Sequence, residues 1–221
     1  MEVMLDEVEV RVLGALVEKQ LTTPEYYPLT LNGLTTACNQ KSNREPVVDF
    51  AEKTVVRALE GLRDKNLARM LSGAEMRVPK YYHLFAEAFG FTAQEVGVLC
   101  VLMLRGPQTV GEIRSRSGRL YEFAGLEQVE ATLQGLVERA DGALVKKLPR
   151  QAGLKESRYA QLLAGEPQIV AEDTEPQLKR ATLEVRAENE RLALLEAQVQ
   201  EMGREIEAIR QEFAEFKKQF E

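Results

Sequence analysis

The 221-residue chain has a single histidine, two cysteines and no long apolar run, and each shortage removes a class of function. His83 follows Tyr81 and Tyr82 in a strand-like run, and no serine, cysteine or aspartate stands beside it in the arrangement of a triad. Acid–base or nucleophilic catalysis therefore has little to work with, and a non-enzymatic protein is expected. Cys38 and Cys100 each lie in an apolar helical pattern with no Cys or His at metal-ligand spacing. Both are expected as reduced core residues, with no metal or cofactor implied. No stretch approaches the roughly 18 uninterrupted apolar residues of a membrane span, and Met1 to Glu9 are acidic where a signal peptide is basic. The expectation is a cytoplasmic protein with no membrane partner.

What is present is ordinary for a globular chain: 44% hydrophobic and 29% charged residues, enough for one or two compact domains. The formal net charge of −6 is unevenly spread. Residues 1–90 hold 11 Lys/Arg against 13 Asp/Glu, residues 91–165 hold 10 against 8, and residues 166–221 hold 8 against 14. The acid excess belongs to the tail, so a basic face on the rest of the chain is neither supported nor excluded.

An internal repeat organises the first 165 residues. Glu9-Val10-Arg11-Val12-Leu13-Gly14-Ala15-Leu16 aligns with Glu95-Val96-Gly97-Val98-Leu99-Cys100-Val101-Leu102. Val55-Val56-Arg57-Ala58-Leu59-Glu60-Gly61-Leu62 aligns with Val129-Glu130-Ala131-Thr132-Leu133-Gln134-Gly135-Leu136. In the first half, Val8, Val12, Leu13 and Leu16 have helical spacing, as do Leu31, Leu34 and Cys38, and then Val55, Leu59 and Leu62. Asp49 and Glu52 have the spacing of a capping box at the start of the third helix. Leu67–Ser72 and Met76–Leu84 flank Gly73-Ala74-Glu75 as a hairpin, in which Pro79 suits an edge strand. The second half repeats this through Leu144–Leu148, a turn at Pro149 to Gly153, and Lys155–Leu162. Three helices closed by a hairpin is the order of a winged helix-turn-helix, although a generic α+β domain shares it.

Residues Thr22-Thr23-Pro24-Glu25-Tyr26-Tyr27-Pro28-Leu29-Thr30-Leu31-Asn32, continuing to Ala37-Cys38-Asn39-Gln40-Lys41-Ser42-Asn43-Arg44-Glu45-Pro46, resemble the signature of the YceH-like bacterial proteins. The resemblance is close across the first half and extends through residue 165 by the shared order of elements. It implies two winged-helix domains in a bacterial cytoplasmic protein, and it brings no catalytic residues to transfer.

In a helix-turn-helix the third helix meets the major groove with its N-terminal end, while turn and wing hold phosphates. With Val55, Leu59 and Leu62 inward, Lys53, Arg57, Glu60 and Asp64 face outward, and the basic pair is N-terminal. Lys41, Ser42, Asn43 and Arg44 precede this helix, and Arg69, Arg77 and Lys80 fall in the wing, a candidate phosphate-contacting stripe. Asn39, Gln40 and Asn43 carry donors and acceptors suited to bases, though such turns often satisfy their own backbone. The equivalent third-helix positions of the second half are Glu127, Ala131, Gln134 and Glu138, a poor face for DNA and a candidate docking surface for protein. Arg114, Arg116 and Arg119 precede that helix, and Lys146, Lys147, Arg150, Lys155 and Arg158 populate its wing, where they suit backbone phosphate.

Beyond Leu163 the pattern changes. Gly165, Pro167 and Pro176 mark a linker. Val185, Leu192, Val199, Ile206, Phe213 and Phe220 then fall seven apart, with Leu195, Met202, Ile209 and Phe216 between them. This is the pattern of a left-handed coiled coil, with Glu188 and Gly203 as weak points, and it points to a homodimer. An amphipathic helix folded back on the domains is the alternative. The expected organisation is mainly α with small β wings (α+β): winged-helix domains at 1–90 and 91–165, a linker at 166–177 and a coiled-coil helix at 178–221. The function expected from it is double-stranded DNA binding by a dimeric regulator or nucleoid-associated protein. A protein-interaction adaptor, as in chromosome-organising complexes, is the alternative.

Overall fold

A computed structural model describes residues 4–73, 77–150 and 156–166. The first half runs through α1 (Glu7–Thr22), a 3-10 turn (Pro24–Tyr26), β1 (Leu29–Thr30), α2 (Leu31–Cys38), α3 (Glu52–Asp64), β2 (Ala68–Leu71) and β3 (Lys80–His83). A five-residue helix, α4 (Phe85–Phe89), leads into the second half. There the order is α5 (Ala93–Arg105), α6 (Val110–Ser117), α7 (Leu126–Val137), β4 (Val145–Lys147) and β5 (Tyr159–Gln161). Among the described residues this is a mainly helical α+β arrangement with two small antiparallel sheets. Both halves fall within one compact unit. Residues 167–221, and with them the coiled-coil positions Val185 to Phe220, lie outside the described residues.

Three helices start on reciprocal caps: Asp6 with Glu9 for α1, Thr92 with Glu95 for α5, and Thr109 with Glu112 for α6. Each pair satisfies two backbone donors that a helix N-terminus otherwise leaves open. The box expected from Asp49 and Glu52 does not form. Ala51 is the N-cap of α3 and makes no side-chain cap bond. The reason lies in Asn39, whose amide oxygen accepts from the Phe50 N–H at 2.8 Å while its amide nitrogen donates to the Phe50 carbonyl at 2.9 Å. Phe50 is thereby held out of the helix, and α3 starts at Glu52.

The core forms where the two halves repeat each other. Val12, Leu13 and Leu16 of α1 and Val98, Leu99 and Cys100 of α5 are fully buried. A Cβ at Gly14 would lie 3.0 Å from the Leu104 side chain and 3.1 Å from that of Met103, so glycine is what lets the two helices approach here. The Cys100 thiol donates to the Gly14 carbonyl at 3.7 Å. Gly14 and Cys100 occupy equivalent places in the repeat, so the first helices of the two halves meet at matching points. Each third helix then packs inward through Val55, Leu59 and Leu62 in α3 and Val129, Leu133 and Leu136 in α7. Burial of a Val or Leu of this kind stabilises by about 1.5–3 kcal/mol.

The sheet of the first half has three strands where a two-stranded hairpin was expected. β3 is central, with β1 on one side and β2 on the other, in registers Leu29↔Tyr81 and Arg69↔Tyr82. Pro79, expected on an edge strand, stands just before this central strand, where its missing N–H removes no ladder bond. In the second half β4 and β5 pair through Lys146↔Ala160. Gln108 there takes the place of β1, exchanging backbone bonds of 3.0 and 2.7 Å with Tyr159.

The junction between halves is aromatic. The Phe85 and Phe91 rings lie 4.9 Å apart, and Phe89 and Phe91 stack at 5.1 Å. The Arg139 guanidinium sits 5.0 Å over Phe91 and donates to the Phe89 carbonyl at 2.9 Å, fixing the junction to the end of α7.

Candidate functional site

Burial of Val55, Leu59 and Leu62 leaves Lys53, Arg57, Glu60 and Asp64 on the exposed face of α3. Lys53 and Arg57 stand one turn apart toward the N-terminal end, and among the described residues neither takes an ion-pair partner. Like charges at this spacing repel mildly, and Glu60 lies one turn beyond Arg57 on the same face. Arg69 is exposed on β2, Arg77 is exposed before β3, and Lys80 is half-buried on β3 opposite Leu71. Lys41 is exposed in the turn before α3.

Arg44 does not belong to that surface. Its side chain is fully buried and forms a two-pronged ion pair with Glu18 at 2.6 and 3.0 Å. The same guanidinium donates to the Ala37 carbonyl at 2.8 and 3.1 Å and to Gln40 at 3.2 Å. The planar fork of Arg thus ties the turn before α3 to α1 and the end of α2, a structural use that excludes phosphate contact. Arg11 completes the anchor by donating to the carbonyls of Cys38 at 3.2 Å and Pro46 at 2.7 Å. Asn39 and Gln40 are likewise consumed internally. Asn43, in a left-handed conformation with φ 59°, accepts from Arg105 of the second half.

In the second half Glu127, Ala131 and Gln134 are exposed on α7, as is Glu138 just after it, and Leu126 at its start is 44% exposed. Arg114 and Arg119 are exposed. Arg116 is half-buried, bonds to Gln108 and lies 3.6 Å from Glu112. Arg158 pairs with the same Glu112 at 2.8 Å, and Lys146 pairs with Glu166 at 2.6 Å. Lys147 is exposed, 5.7 Å over the Tyr159 ring. Of the cations assigned to this wing, Lys147 and Arg150 are therefore the exposed ones among the described residues, and Lys155 lies outside them.

The turns before the two third helices converge on a cleft of about 440 Å3 between the halves. Its walls carry four cationic side chains, Lys19, Arg105, Arg116 and Arg119, and one carboxylate, Glu18. Lys19 and Arg105 close the last turns of α1 and α5 and stand at equivalent places in the repeat, a signal that residue-by-residue reading of the turns and wings passes over.

Over residues 5–154 the chain matches the family model described as "Protein of unknown function, DUF480". It belongs to this family. It is 53% identical over 221 residues to a UPF0502 protein of Geobacter sulfurreducens and 55% identical over 221 residues to one of Geotalea daltonii, covering all of each pair. A UPF0502 protein of Opitutus terrae is 56% identical over 174 residues, 79% of this chain and 76% of that one. The YceH-like resemblance carried by residues 22–46 is consistent with this membership. The DUF480 match spans both third helices and every side chain named in the cleft.

The remaining reactive side chains of this DUF480 chain are buried. Burial raises the Cys38 thiol to about 12 and pushes Cys100 up further, so both are protonated core residues. His83 is 4% exposed, and burial lowers it to about 4. Its Nδ1 accepts from the Phe85 N–H at 3.2 Å, and its backbone N–H donates to the Tyr27 hydroxyl at 2.7 Å. Among the described residues no group of three His, Cys, Asp or Glu is placed to hold a metal ion, and no helix is long and apolar enough to cross a membrane.

Proposed function

We propose that this protein is a non-enzymatic, double-stranded DNA-binding protein of the regulator or nucleoid-associated kind. In this reading each half is a winged helix-turn-helix, and the heptads at 178–221 form a homodimer. The observation that carries it is the exposed pair Lys53 and Arg57 at the leading end of α3, flanked by the exposed cations Lys41, Arg69 and Arg77 of turn and wing. A helix end that projects positive charge beside a basic hairpin suits a phosphate-lined groove. Arg114 and Lys147 extend the contact to the second half. A dimer adds a second copy of each surface, and two weak half-site contacts reinforce one another.

Affinity of the purified full-length protein for duplex DNA at rising salt, beside a chain ending near Gly165, tests this reading. Binding that falls steeply with salt and weakens without the tail supports it. Absence of binding at low salt overturns it in favour of an adaptor that docks protein on α7. That second reading rests on the exposed Glu127, Glu138 and Leu126, an acidic face with an apolar edge.

A further inference from the structure

We propose that the cleft between the halves binds a small phosphate-bearing anion, held by Arg105 and Arg119 with Lys19 and Arg116. The inference is independent of DNA binding, because the exposed face of α3 takes no part in the cleft.

Four observations carry it. The cleft has a size suited to a compact metabolite, since small-molecule sites run from about 300 to 1,000 Å3. Charge is one-sided: Glu18, the one carboxylate in its walls, is already engaged by buried Arg44 at 2.6 Å and lies 3.7 Å from Lys19. Several of the carbonyls at the helix ends, which would otherwise repel an anion, are occupied. Thr22 bonds the Glu18 carbonyl, Thr23 that of Lys19, Gly106 that of Leu102, Glu45 that of Leu104, and Gln108 that of Arg105. With those acceptors satisfied, the cations at the two helix ends face fewer open carbonyls.

Finally, Arg105 is half-buried with Arg116 as its strongest charged neighbour, ahead of Glu18, Arg44 and Glu45. Desolvation first, then the charge of Arg116, lowers its pKa, although a guanidinium stays protonated in water at any ordinary pH. A phosphate group placed between Arg105, Arg116 and Arg119 relieves that repulsion and accepts charge-assisted bonds from guanidinium forks. Ser42 and Ser115 on the same walls add hydroxyl donors from the two halves. Because both halves supply the walls, an occupant bridges them.

The test uses inorganic pyrophosphate and full-length protein in calorimetric titrations at constant ionic strength, with duplex DNA binding measured in parallel. Saturable binding is expected at millimolar pyrophosphate or below. Arg105→Gln and Arg119→Gln should each weaken it about tenfold, as loss of one charge-assisted contact does. Arg63→Gln, at an exposed cation of α3 outside the cleft, should leave it unchanged. Arg119 is exposed, so Arg119→Gln keeps the test valid if Arg105→Gln fails to fold. Titrations without saturation, or equal weakening by Arg63→Gln, overturn the proposal. So does absence of pyrophosphate binding while Arg119→Gln weakens DNA binding, which assigns the cleft to backbone phosphate.

Discussion

The third helix of the first half turns Lys53, Arg57, Glu60 and Asp64 outward, and that of the second turns out Glu127, Ala131, Gln134 and Glu138, while both bury the same Val-Leu-Leu stripe. The inner positions are set by the core they share. The outer positions answer only to what each helix meets.

The same divergence reaches the turns that aim these helices. In the first half the turn is tied by Arg11 and Arg44 to backbone carbonyls and Glu18. At the place of Arg11 the second half has Gly97, against which the Tyr121 side chain packs. Tyr121 stands edge-on to Phe123 at 4.8 Å and its hydroxyl accepts from Gln94 at 3.0 Å. One turn is held by buried charge and the other by an aromatic ring seated on a glycine.

Breaking the ionic anchor should have the largest effect. Arg44→Ala leaves Glu18 in a buried place with only Lys19, 3.7 Å away, beside it, and loss of one member of such a pair costs about 3–5 kcal/mol. A urea-unfolding midpoint measures it, and a loss within the range of surface substitutions would remove the anchor from the account.

Acid should separate the halves next. Burial holds His83 near 4, below its ordinary 6.5, so the unfolded chain takes the proton first. The stability of the neutral state is whole above about 6.5 and is lost as pH falls toward 4. Between pH 7 and 5 this amounts to about 2 kcal/mol, and His83→Gln should flatten that segment of the curve. In the second half Glu112 is desolvated, which raises it, but the Thr109 N–H and the charges of Arg158 and Arg116 hold it below its ordinary 4.5. Its contribution is present above that value and is lost only at lower pH, so acid sensitivity between 6.5 and 4.5 belongs to the first half.

The aromatic anchor should be less costly to disturb. An added Cβ at Gly97 would lie 3.0 Å from the Tyr121 Cβ, so Gly97→Ala should destabilise by about 1 kcal/mol through overpacking. Thermal unfolding reads this directly. The smallest stability effect is expected on the outer faces, where Lys53→Ala and Glu127→Ala should each stay within about 0.5 kcal/mol.

Helical periodicity marked the inner residues of α1 and α3, the internal repeat carried them over to α5 and α7, and Gly73 with its flanks marked the first hairpin. The capping pattern was a weaker guide. Asp6-x-x-Glu9, Thr92-x-x-Glu95, Thr109-x-x-Glu112 and Asp49-x-x-Glu52 share one spacing, and the last fails because a distant residue, Asn39, holds Phe50. Burial of Arg44 was hidden for the same reason, since its partner Glu18 is 26 positions away. Strand β1 is two residues long, too short for alternation to show. The cleft arises only when the halves pack, although the paired Lys19 and Arg105 were present in the repeat.

The proposed DNA contact lies on the outer face of α3 and not on that of α7. Salt titrations on duplex DNA should compare the full-length protein with a Lys53→Ala/Arg57→Ala variant and a Glu127→Ala variant. The double variant should bind more weakly, with a salt slope shallower by about two, one for each lost phosphate contact, and Glu127→Ala should not weaken binding. Superimposable curves for all three proteins would contradict the account.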